Sequence, residues 1–194
     1  MTVDPQLTPE IIREFVIASH FNLEKVRTLL ADQPALLIVR HKWGEDDYED
    51  GLGAASHVGN RPIAEFFLEQ GVPLSIFAAA MLGRSADVAA FIQSDAAQAN
   101  ARGAHGIPLL FHAAFSGDTA LTTLLLNAGS KEGFDNALHA AIMGGHVDMV
   151  NWLLAHGADN LQVLNYEGKT PLTKAVELGH TAIADTLRNH GALE

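Results

Sequence analysis

The sequence predicts an all-α solenoid of about six stacked helix pairs with short fingers or turns between them, and three observations predict it. The stretch Asn136–Ala158 superposes on Thr170–Ala192 without a gap, so Gly145 and Gly179, like Gly157 and Gly191, stand 34 residues apart. The same frame, small residues before a turn residue and an apolar run after it, recurs upstream at Gly117, Gly83 and Gly59, with a degenerate copy at Asn22. After each turn the apolar residues follow the i, i+3, i+4, i+7 spacing of a half-buried helix. A repeat of this length cannot hide its apolar faces alone, so each copy must stack on its neighbours.

Taken in order, the copies cover approximately 8–37, 50–71, 74–95, 107–129, 135–158 and 169–193 of a single 1–194 domain. The first keeps Leu23, Val26, Leu29 and Leu30 behind Asn22; the second has Ile63, Phe66 and Phe67; the fourth Leu121, Leu124 and Leu125; the fifth Val147, Val150 and Leu154. Alanine pairs at Ala79-Ala80, Ala113-Ala114 and Ala140-Ala141 let the first helix of a copy lie close against the next. In the last copy Thr170 is a suitable N-cap, and Pro171 sits at the first helical position, where its missing N–H costs nothing.

Thr170-Pro171-Leu172, Leu138-His139, Gly145-His146, Gly179-His180, Gly157-Ala158-Asp159 and the paired leucines resemble the ankyrin repeat, over roughly residues 8–193. That resemblance implies two antiparallel helices plus a β-turn or finger per copy. It also implies that the rings of His139, His146 and His180 hydrogen-bond to neighbouring turns, and that the two residues before each central turn face a concave side. It implies recognition of other molecules in general, and ankyrin folds rarely act as catalysts.

From Asn22 the central turn residues are separated by 37, 24, 34, 28 and 34 positions. The long intervals leave room for projecting fingers at Arg40–Gly51, Asn100–Gly106 and Asn160–Lys169. The connections at Gly71 and at Gly129–Asp135 are too short for them.

Composition narrows the function. Twelve Lys and Arg against twenty-three Asp and Glu give a net charge of −11, which would repel a phosphate backbone, so nucleic acid is not an expected partner. No apolar run approaches the ~20 residues of a spanning helix, and Asp4, Glu10, Arg13, Glu14 and Glu24 interrupt any leader-like start. The expectation is no membrane partner and, by default, the cytoplasm. The absence of Cys removes disulfides, thiolate metal sites and thiol nucleophiles. Gly168-Lys169-Thr170 resembles the end of a phosphate loop, but Val163 stands where its first glycine belongs; no cofactor is expected.

Three constellations remain. The first finger, Trp43–Asp50, carries Glu45, Asp46, Asp47, Glu49 and Asp50 with Trp43 and Tyr48. Aromatics of this kind dominate interface hot spots, although they also pack onto adjoining fingers. A calcium loop there fails because Tyr48 and His57 occupy ligand positions. The concave-side row, His20-Phe21, His57-Val58, Met81-Leu82, Phe115-Ser116, Met143-Gly144 and Glu177-Leu178, is unusually apolar, which suits either a protein-binding groove or a finger folded over it. Ten histidines raise a metal hypothesis; His57, His105 and His112 could approach the acidic finger, but no compact ligand spacing supports it.

The sequence therefore predicts a non-enzymatic module that binds a protein or peptide, basic or apolar. Trp43, Tyr48 and Tyr166 are its expected anchors, Met81, Leu82, Phe115 and Met143 its floor, and Glu45, Asp46, Asp47, Glu49 and Asp50 its steering charges. The alternatives are a small metal-dependent hydrolase using His57, His105 or His112 with Asp47 or Asp50, and homo-oligomerisation through the apolar groove.

Overall fold

In a computed structural model of the chain, twelve α-helices among the described residues, 7–193, form six antiparallel pairs. Asp4, used in the leader argument, and residue 194 of the expected domain lie outside the described residues. The first helix of each pair belongs to an inner row: α1 (Pro9–Phe21), α3 (Gly51–His57), α5 (Ile76–Met81), α7 (Leu109–Ala114), α9 (Phe134–Met143) and α11 (Pro171–Glu177). The second belongs to an outer row: α2 (Leu23–Asp32), α4 (Arg61–Glu69), α6 (Ser85–Ser94), α8 (Thr119–Asn127), α10 (Val147–His156) and α12 (Thr181–Asn189). Each inner helix packs on the next along the row.

Four of the inner helices, α1, α3, α5 and α11, begin at side-chain caps that satisfy otherwise orphaned amides. The Thr170 hydroxyl accepts from Thr173 N–H at 3.2 Å, with Pro171 in the first turn, and Ser75 accepts from Ala78 N–H at 3.1 Å. Their facing surfaces are alanines with no solvent exposure, among them Ala54, Ala79, Ala113, Ala140 and Ala175. Small side chains allow this close approach, and larger ones on the other faces fill the space towards the outer row.

Two apolar clusters result. One gathers Phe15, Leu36, Phe67 and Met81 in the N-terminal repeats, and the other runs from Ile76 to Ala192. Leu74 and Phe115 pack against both and join them. The turn glycines take the left-handed conformation that L-residues adopt only at a cost. At Gly117, φ is +72° and a Cβ would lie 2.6 Å from the His146 ring, whose Nε2 donates to Phe115 O at 2.9 Å. His139 Nε2 likewise donates to Val163 O at 3.0 Å.

The first finger is a hairpin of β1 (Arg40–Lys42) and β2 (Tyr48–Asp50). The second contains a 3₁₀ turn at Ala104–Gly106, closed by a bridge between Arg102 and Pro108. In the third, the Asn165 side chain accepts from Glu167 and Lys169 N–H, both at 2.9 Å. Among the described residues no helix is long and apolar enough to cross a membrane.

Candidate functional site

The hairpin pairs Arg40 with Asp50, His41 with Glu49 and Lys42 with Tyr48, and Trp43 N–H donates to Asp47 O at 2.8 Å across its tip. Successive strand residues point to opposite faces, so neighbouring acids have different fates. Tyr48 is 41% exposed, with the cationic groups of Arg40 and Lys42 each 5.4 Å from its ring centre. Asp50 accepts Gly53 N–H at 2.7 Å and caps α3. Glu49 turns inward and is 1% exposed.

Around the Glu49 carboxylate stand three imidazoles and one indole. Trp43 Nε1–H donates to Oε2 at 2.8 Å, and His20 Nε2 lies 3.6 Å from the same oxygen. His57 Nδ1 is 2.9 Å from Oε1, and His105 Nε2 is 3.6 Å from it. The repeat itself brings His20 and His57 together: each stands two positions before the central turn residue of consecutive copies, so stacking α1 on α3 places their rings 4.9 Å apart.

His105 arrives from the second finger. It is the one non-glycine residue with positive φ among the described residues, at 58°. Asp47 holds it there, accepting its backbone N–H at 2.8 Å and its Nδ1–H at 2.7 Å.

The electrostatics follow from this enclosure. Burial raises the Glu49 pKa, but interactions with His57 and His20 and the Trp43 donor outweigh it and hold the carboxyl below its usual range. Burial lowers the His20 pKa, and the nearby Glu49 charge offsets only part of that effect. Asp47 is lowered chiefly by the His105 backbone N–H.

His20, His57 and His105 also line a concave pocket of about 650 Å³, shared with Phe21 and Val58 from the N-terminal repeats, Ile107 and Phe111 from the middle, and Leu164 and Tyr166 from the third finger. Of the residues expected to hold a partner, Met143 and Tyr166 lie on this pocket. Met81 and Leu82 are 2% and 6% exposed and belong to the core, because α5 turns that end of the helix into the N-terminal cluster. Phe115 covers Gly59, where a Cβ would meet its ring at 2.4 Å. Trp43 is committed to Glu49 and to the neighbouring His41 and His105 rings. Glu45 and Asp46 are exposed at the hairpin tip.

The metal alternative drew on His57, His105 or His112 with Asp47 or Asp50, and of these only His57 belongs to the compact cluster, which it forms with His20 and Glu49. His112 is 2% exposed, bonded through Nδ1 to Pro108 O and packed on Phe77, and burial lowers its pKa to about 4. Asp50 is used as a helix cap. Glu49 and His20 take their places. His20 was visible in the repeat register; the inward direction of Glu49 depends on the hairpin.

A stack of helix–turn–helix pairs with projecting fingers defines a repeat solenoid, and the pocket is lined by residues of its inner helices and fingers. Residues 110–193 match the family model described as ankyrin repeats (3 copies), and the helix pairs upstream continue the same ankyrin-repeat-like stacking. The chain is similar to the protein named "Putative ankyrin repeat protein FPV014" of fowlpox virus (strain NVSL), with 31% identity over 124 residues. That alignment covers 61% of this chain, which spans 28% of the length of the curated relative.

One expectation is overturned. The sequence reading was of a chain without catalytic machinery, yet His20, Glu49 and His57 offer one ligand atom each, all within 4.8 Å of one another. Two imidazoles and a carboxylate converging beside a pocket have the composition of a metal centre, so a flat assignment as a non-enzyme does not stand.

Proposed function

We propose that the protein is a binding module that holds a peptide segment of a partner protein in the concave pocket. The observation that carries this reading is the exposed apolar rim of the pocket. Phe21, Leu164 and Tyr166 are 68%, 59% and 79% exposed, and all three line the pocket. Clustered exposed aromatic and aliphatic side chains of this kind are typical anchors for a partner.

Three buried atoms of pocket-lining residues lack hydrogen-bond partners among the described residues, His57 Nδ1, Asn165 Nδ2 and His139 Nδ1. Asn165 Nδ2 is a donor. His139 gives its other ring N–H to Val163 O, which leaves Nδ1 as an acceptor in the neutral ring. The pocket volume falls within the range of about 300–1,000 Å³ usual for ligand sites. The exposed Glu45 and Asp46, in a chain of net charge −11, favour a basic flank on that peptide.

Selection of displayed random peptides on the immobilised chain tests the reading. Selected peptides should bind at least about tenfold more weakly to the Phe21→Ser/Tyr166→Ser double variant, as the loss of two anchors requires. Equal affinity for the variant would remove the pocket from the proposal. Sedimentation at several concentrations separates a second copy of the chain from a foreign partner.

A further inference from the structure

The cluster around Glu49 contains more acceptors than donors. Val16 O accepts a proton from His20 Nδ1 at 2.9 Å, so in the neutral ring the lone pair is on Nε2, facing Glu49 Oε2. Asp47 accepts from His105 Nδ1, so the His105 lone pair is also on Nε2, facing Glu49 Oε1. His57 Nδ1 and Glu49 Oε1 approach to 2.9 Å without hydrogen-bond alignment, and both atoms are buried without a hydrogen-bond partner. In their neutral forms such lone pairs repel a buried carboxylate, and the repulsion is relieved by a proton or a metal cation lying between them.

We propose that His20 Nε2, His57 Nδ1 and the Glu49 carboxylate bind a zinc-type divalent cation, with the pocket side left for an exchangeable fourth ligand. Donors around tetrahedral zinc sit roughly 3.3 Å apart, given bond lengths of about 2.0–2.2 Å. His57 Nδ1 lies 2.9 Å from Glu49 Oε1 and His20 Nε2 lies 3.6 Å from Oε2, and one ligand atom from each of the three residues falls within 4.8 Å of the others, close enough for small shifts to close such a site. A pair of imidazoles with a single carboxylate suits zinc, where calcium and magnesium prefer oxygen. The supporting contacts are those of a metal site: the His20 ring is oriented by a backbone carbonyl and Glu49 Oε2 by the Trp43 indole. His20 and His57 line the pocket and Glu49 lies behind them, so the open coordination position faces the bound peptide. His105, steered by Asp47, stands beside it. The cation would tie the first finger to α1 and α3, and its Lewis acidity would be presented to whatever occupies the pocket.

The test uses the full chain without a polyhistidine tag, stripped by chelator and dialysed. Calorimetric titration with Zn²⁺ should give one site per chain, and Co²⁺ should give the visible absorption of a four-coordinate centre. Glu49→Gln and His57→Gln should each weaken Zn²⁺ binding at least a hundredfold, with helicity and metal-free unfolding midpoint checked alongside. If either variant fails to fold, His20→Gln, at a half-buried position, provides the same test. The control His156→Gln/His190→Gln removes two exposed surface rings and should leave binding unchanged. Absence of a stoichiometric site, or a site lost only in the surface control, would overturn the proposal. The peptide reading would survive that result, because its own test uses Phe21 and Tyr166.

Discussion

Asp47, in the first finger, grips His105, in the second, with both carboxylate oxygens, one on the backbone N–H at 2.8 Å and one on ring Nδ1 at 2.7 Å. The contact joins segments 58 residues apart and maintains the left-handed backbone at His105. Removing the ring and relieving the backbone are separable effects. His105→Ala should be less stable than His105→Gly by about 1 kcal/mol, because only glycine adopts positive φ without strain. Urea unfolding of the two variants checks this, and equal midpoints would show that the backbone there is unstrained.

Trp43 has an internal duty. Its indole N–H donates to the buried Glu49 carboxylate at 2.8 Å. Trp43→Phe keeps most of the ring packing and removes that donor, so it should cost about 1–3 kcal/mol, the penalty for leaving a buried polar group short of a partner. A denaturation midpoint unchanged from the parent would mean that another group takes over the bond.

His112 makes stability depend on acidity. Its pKa is lowered to about 4 by burial, against about 6.5 in an unfolded chain, so between those values the unfolded state holds more protons than the folded one. The contribution is intact above pH 6.5 and is lost as pH falls towards 4, amounting to about 3 kcal/mol at the lower end. Comparing the parent with His112→Leu at pH 7 and pH 4.5 isolates it from other titrations. The gap between the two proteins should narrow on acidification, and a constant gap would contradict the assignment.

Gly59 and Gly179 occupy the same turn of different repeats and share φ of +72°. Alanine at Gly179 meets nothing within 4 Å and should cost only the backbone strain, about 1 kcal/mol. Alanine at Gly59 would place its Cβ 2.4 Å from the Phe115 ring and should cost a further 1–3 kcal/mol or so by overpacking. Thermal unfolding of the two single variants checks the difference.

The repeat frame was legible because it is written in local chemistry. The 34-residue spacing of Gly145 and Gly179, the Thr170-Pro171 start and the alanine pairs each carry their own conformational preference. The concave row was readable only in part. Its register also puts His20 and His57 in equivalent slots of adjacent copies, which is a sign of their proximity. Met81 and Leu82 occupy the same register but are buried, since the tilt of α5 against the N-terminal cluster is set by packing and not by the repeat.

By itself the sequence determined that the chain stacks helix pairs into a solenoid with acidic and aromatic fingers, because helix spacing, caps and left-handed turns act over a few residues. Only the tertiary structure decided which acid of Glu49-Asp50 faces inward, since a slip of one position in the hairpin would exchange them. It alone brought His105 across 58 residues to Asp47 and sealed His112 in the core. Those outcomes depend on how separate repeats and fingers close upon one another, and that geometry has no counterpart in any short stretch of sequence.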